Sequence, residues 1–189
     1  MATSDVQICN SALIKVGTDL IISLADDNKR AKVCQHQYPI LRDEVLRSHP
    51  WKFATARIEL AEVLPAPDFG DYENWFQLPS DCLRVLQIID LIDGVAWERS
   101  GDLLLINAKT VKIKYIKRVT DTTLYDANFS EVLATRIASD LAWSLTQNAA
   151  LAEAFMRQYL TIIRPSMSFS AMEGSVPSIK TNTWLTSRY

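Results

Sequence analysis

The chain has 189 residues, 48% hydrophobic and 22% charged, with a formal net charge of −2. Such values describe an ordinary globular chain long enough to bury a sizeable core, and the lack of a basic excess argues against a dedicated nucleic-acid binder. The five glycines, Gly17, Gly70, Gly94, Gly101 and Gly174, are isolated, which excludes a phosphate-cradling loop of the P-loop or dinucleotide kind.

The opening Met-Ala-Thr-Ser-Asp has no basic stretch followed by an apolar core, so no signal peptide is expected, and no apolar run approaches membrane-spanning length. Ser4 with Gln7 three residues on is a capping box, and Gly17 is a C-terminal cap; the helix between them would bury Val6, Cys9, Leu13 and Val16. After a short apolar link, Leu20 to Leu24, either Asp26 or Asp27 can cap a second helix. In that helix Ala31, Cys34, Tyr38, Leu41 and Val45 hold a helical spacing, and Pro39 is expected to kink it near Gln35 to Tyr38. His49-Pro50 forces a stop, because the residue before proline leaves the α region and proline has no N–H to continue the helix.

Beyond the stop the period switches to two, with Ala54, Ala56, Ile58 and Leu60 on one face of a strand and Thr55, Arg57 and Glu59 on the other. Leu64 to Gly70 reads as a loop. Leu83 to Leu91 reads as a covered strand, and turns at Asp93-Gly94 and Ser100-Gly101-Asp102 bracket Val95 to Arg99 and Leu103 to Ile106. The strand Val111, Ile113, Tyr115 completes an expected antiparallel meander of four or five strands. Asn128 with Glu131 then opens a helix with the stripe Phe129, Val132, Leu133, Ile137, Leu141, Leu145. Asn148 caps a last helix with Leu151, Phe155, Tyr159 and Ile162 inward, expected to end at Pro165.

The order implies an α+β domain over 1–164: a four-helix bundle from 4–50 and 128–164, with an antiparallel β-sheet, 51–119, inserted between the pairs. Residues 165–189 change character: Ser, Thr, Asn and Pro dominate and the apolar residues lose their period. Either this is a loose or folded-back terminus, or an extended C-terminal docking arm that orders on a partner through Met167, Phe169, Ile179, Trp184 and Tyr189.

Catalytic chemistry finds little support. Cys9, Cys34 and Cys82 form no CxxC pair, and with only His36 and His49 beside them no zinc constellation assembles; the thiols read as inert and buried. His36 falls on a charged helix face and His49 in the helix stop, so neither reads as catalytic. Asp71, Glu73 and Asp81 flank Tyr72, Trp75 and Phe76, a combination open to a polysaccharide-hydrolase reading; the plainer alternative is that Trp75 and Phe76 plug the sheet edge. Lys109, Lys112, Lys114, Lys117 and Arg118 form a basic cluster, either a solvated sheet face or a contact for DNA or an acidic partner. Arg42, Asp43, Glu44 and Arg47 read as helix-surface ion pairs. No cofactor is expected.

The run Tyr38, Leu41-Arg42-Asp43, Leu46-Arg47, Pro50-Trp51-Lys52-Phe53-Ala54, Leu60 resembles the tail tubular protein A family, the head-to-tail adaptors of short-tailed bacteriophages. So do Trp75, Leu78-Pro79-Ser80-Asp81-Cys82-Leu83-Arg84-Val85 and Phe129, Leu133-Ala134, Arg136-Ile137-Ala138, Leu141-Ala142, Leu145-Thr146; the likeness spans Val6 to about Ile163. The resemblance implies a structural virion protein, made in the bacterial cytoplasm and placed at the head-to-tail junction. Its copies would form a twelvefold homo-oligomeric ring between the portal protein and the tail nozzle protein, with DNA passing non-specifically through the channel and no membrane partner. On that footing Arg42, Asp43, Glu44, Arg47 and Arg136 are expected at the subunit interface, and Lys112, Lys114 and Lys117 facing the channel or a partner. The arm from Pro165, with Trp184 as anchor, would dock on the portal, and truncation after Pro165 would leave a folded domain. A tail-associated cell-wall polysaccharide hydrolase and a small DNA-binding module are the alternatives.

Overall fold

A computed structural model describes residues 4–64, 72–89 and 95–172. The expected loop at 65–70, the turn at Asp93-Gly94, the carboxylate Asp71 and the arm residues Ile179, Trp184 and Tyr189 lie outside them. The described residues form a mixed α+β fold of four α-helices and two antiparallel sheets.

Helix α1 (Asp5–Val16) starts and stops as the sequence dictates. Ser4 and Gln7 form a reciprocal capping box, and Gly17 closes the helix at φ 80°, a left-handed conformation that costs glycine little. Helix α2 (Lys29–Ser48) is capped by Asn28, not by Asp26 or Asp27. Asp26 is diverted into the preceding turn, where its carboxylate accepts the backbone N–H groups of Ile22 and Ser23. The helix is continuous through Pro39 and gives way at His49, whose backbone is extended.

At the stop Trp51 turns inward, fully buried, and its indole N–H donates to the Val45 carbonyl at 3.0 Å. That carbonyl lies in the last turn of α2, where it also accepts the Ser48 hydroxyl at 2.7 Å. A short 3₁₀ turn, Lys52–Ala54, intervenes before the chain becomes β1 (Thr55–Glu59), so the strand begins later than the alternation suggests. On its expected inward face Leu60 is buried and Ala56 partly so, but Ile58 is 43% exposed, because β1 is an edge strand.

The single meander expected from sequence is two sheets. One has the order β1–β7–β4, with β4 at Cys82–Ile89 and β7 at Lys112–Lys117. The other has the order β2–β3–β6–β5, from Ala61–Glu62, Asn74–Gln77, Leu103–Ile106 and Trp97–Ser100. Trp75 and Phe76 therefore do not plug an edge as a loop. They are in β3, paired with Leu105 and Leu104, and Phe76 is buried.

Strand β7 serves two cores by alternation. Ile113 and Tyr115 join Phe76, Ile88, Leu104 and Ile106 in a core between the sheets, whereas Ile116 joins Leu83 in the core beneath the helices. Burial of each such aliphatic side chain contributes roughly 1.5–3 kcal/mol.

Helix α3 (Ala127–Thr146) is the hub, with α1, α2 and α4 all packed on it. Its cap is Asp126, two residues ahead of the expected Asn128. The expected stripe Phe129, Val132, Leu133, Ile137 and Leu141 is buried, and Ala134, Ala138 and Ala142 are buried beside it. Phe129 gathers Trp51, Phe53 and Tyr125 around it with ring centroids 5.2, 5.0 and 4.7 Å away, tying the helix stop to α3.

Gln147 adopts a left-handed φ of 54° to end α3, and Asn148 accepts the Leu151 N–H to begin the next helix, as expected. Helix α4 (Ala149–Met172) does not end at Pro165; it runs through it. The proline removes only its own donor to Thr161, while Ser166 and Ser168 back-bond the Ile162 and Arg164 carbonyls. Ser166 and Ser170 are buried, Met167 packs on the helical core, and the Ser170 hydroxyl accepts the Lys52 N–H at 3.2 Å. A cut after Pro165 would therefore remove part of the packed domain, contrary to the sequence-based expectation.

Candidate functional site

The charged residues expected at a subunit interface form a network inside the chain. Arg42 is only 9% exposed and pairs with the neighbouring Asp43 at 2.8 Å. The other oxygen of Asp43 takes Arg118, just past β7, at 2.6 Å, and Arg47 donates to the Leu83 carbonyl of β4 at 3.2 Å. Arg136 on α3 bonds Glu44 and Asp140. The set thus joins α2 to the sheet and to α3. Burial opposes the Arg136 charge, but the carboxylates of Glu44 and Asp140 more than compensate and raise its pKa.

The outward face of α3 and α4, where they meet, combines apolar side chains with polar and acidic ones. A groove of about 490 Å³ lies between Ser139, Asp140, Trp143 and Ser144 of α3 and Ala152, Glu153 and Met156 of α4, with Gln37 of α2 beside them. Trp143 is 58% exposed there. Of the arm residues within the described chain, Met167 packs inward, while Phe169 is 58% and Met172 77% exposed.

On β7, Lys112 is exposed and pairs loosely with Glu59 at 3.8 Å, and Lys114 and Lys117 are half-buried. The register places Lys114 directly opposite Arg57 on β1. Of the suggested carboxylates, Glu73 stands beside β3, its N–H bonded to Asn107, whereas Asp81 precedes β4 and accepts the Tyr115 hydroxyl at 3.3 Å. Burial, with Asp81 second, pushes the Tyr115 phenol up to about 12. The two carboxylates thus attach to different sheets.

Cys9 and Cys34 are both fully buried, and their thiols meet across α1 and α2. Hydrogen bonding to Cys34 and then burial push the Cys9 thiol far above its usual range. His49 is half-buried, and burial first, then Arg84 and Lys52, lowers its pKa. Among the described residues no helix is long and apolar enough to cross a membrane.

The burial of Arg42 and the Trp143 groove were not legible in sequence. Nothing in the helical spacing of α2 says which of its charges meets α3. Trp143 lies off the apolar stripe of α3, and that displacement is the sequence signal that marks it. In comparison with known proteins, no protein-family model matches the chain and no curated protein matches it.

Proposed function

We propose that the chain is a structural subunit of a phage virion, a head-to-tail adaptor whose copies close into a ring between portal and tail nozzle. The observation that supports this reading best is the exposed Trp143 over the α3–α4 groove. A large aromatic beside a trough is the usual anchor of a protein contact. A ring of identical subunits needs two different patches on each copy. In this reading the four helices act as one bundle. Its α3–α4 groove meets the neighbour's α2 around the exposed Ile40, while the charges of α2 brace the subunit from within.

The portal contact falls at the end of α4, where Phe169 and Met172 are exposed, and continues into residues 173–189 with Trp184 as anchor. The near-neutral net charge of −2 suits a channel wall past which DNA slides without many phosphate contacts.

Trp143→Glu tests the reading. The variant should keep the thermal midpoint of the parent chain, since the residue is on the surface, yet fail to form rings on assembled portal. Rings formed as readily as by the parent would refute the assigned patch. A chain ending at Met172 should likewise stay folded and lose portal binding.

A further inference from the structure

Several cations among the described residues have a carboxylate partner: Lys15 with Glu131, Arg42 and Arg118 with Asp43, Arg136 with Glu44, Arg30 with Asp19. Lys52, Arg57 and Lys114 have none among the described residues, and they line one cavity of about 260 Å³ together with His49, Thr55 and Ala171. Its lining contains no acidic residue. The carboxylate on the same strand, Glu59, is turned to Lys112 instead.

The backbone enforces this crowding. Arg57 of β1 and Lys114 of β7 are register partners, and like charges directly opposite on a sheet repel. Lys52 is held nearby because its N–H is tied to Ser170 of α4. Three unneutralised cations around one small hollow are arranged for an anion.

The geometry points to a phosphate-binding site in which Arg57 and Lys114 grip the oxyanion from the sheet and Lys52 from the 3₁₀ turn. The planar guanidinium of Arg57 suits two phosphate oxygens at once, and the ammonium groups add point charges. The site belongs to a single subunit in solution and stands apart from the adaptor proposal.

The test uses the full chain in phosphate-free buffer, with pyrophosphate titrated by calorimetry and a short DNA duplex by fluorescence anisotropy. The double variant Arg57→Gln/Lys114→Gln should weaken pyrophosphate binding at least about tenfold, while Lys29→Gln, far along α2, leaves it unchanged. Its thermal midpoint should not fall, because two opposed cations are removed. A duplex whose binding is weakened by the double variant, with a shallower salt dependence, identifies nucleic-acid phosphate as the source. A duplex that is insensitive, while pyrophosphate responds, identifies a small phosphorylated compound. Failure of the parent chain to bind either probe, or equal weakening by Lys29→Gln, overturns the site.

Discussion

Arg136 bridges α3 to α2 by bonding both carboxylate oxygens of Glu44, through Nε at 3.1 Å and Nη2 at 3.2 Å. Its Nη1 meanwhile bonds Asp140 at 2.6 Å. The guanidinium is largely covered, whereas the Glu44 side chain is half in water, so the two ends of the bridge have unequal weight. Arg136→Ala is expected to cost about 2 kcal/mol, since it strips packing and leaves two carboxylates without their cation. Glu44→Ala should cost under about 1 kcal/mol, and the pair's coupling in a double-mutant cycle should be of the same small size. Urea unfolding of the four proteins gives all three figures.

Trp51 carries more. Trp51→Phe keeps most of the aromatic contact with Phe129 and leaves the Val45 carbonyl the Ser48 hydroxyl but not the indole N–H, for a loss of about 1 kcal/mol. Trp51→Ala also opens a cavity and should cost about 3–5 kcal/mol, read from the shift in urea midpoint.

Thiol accessibility should be graded. Cys9 and Cys34 are buried and Cys82 is half-exposed, with burial raising its pKa too. A disulfide reagent should therefore label at most Cys82 in the folded chain, slowly and faster at alkaline pH, and all three cysteines after denaturation. Rapid labelling of Cys9 or Cys34 under native conditions would contradict the packing of α1 on α2.

Stability should fall on acidification through His49. Its folded pKa lies below the ordinary 6.5, so the unfolded chain takes up a proton more readily. The stabilisation from keeping this imidazole neutral is complete above that value and is lost as pH falls below it toward the lower folded pKa. The thermal midpoint of the parent should drop between about pH 7 and pH 5 more steeply than that of His49→Gln.

Local signals in the sequence were readable where the residue that makes the signal also makes the contact. Ser4 with Gln7, Gly17 and Asn148 each act within one turn of the chain, the Phe129 stripe acts within one helix, and each acts as its type suggests. The caps Asn28 and Asp126 were misplaced because Asp26 and Asn128, of equal chemical suitability, stood within two residues of them. Pro165 looked like a stop because the burial of Ser166, Met167 and Ser170 against the rest of the chain is a tertiary effect that composition does not encode. The same holds for the second sheet: Asn74–Gln77 is too short to show a period, and its pairing with Leu103–Ile106 spans many residues. At the candidate sites, the lysines of β7 were visible in sequence, but their meeting with Arg57 and Lys52 depends on register and on the fold of α4 over the 3₁₀ turn.

Electron microscopy of the negatively stained chain, alone and mixed with assembled portal of the phage that encodes it, addresses the adaptor reading head-on. The account predicts a closed ring of this chain, in the portal's own symmetry, seated on one end of the portal. Portal particles left bare beside unassembled single subunits would contradict it.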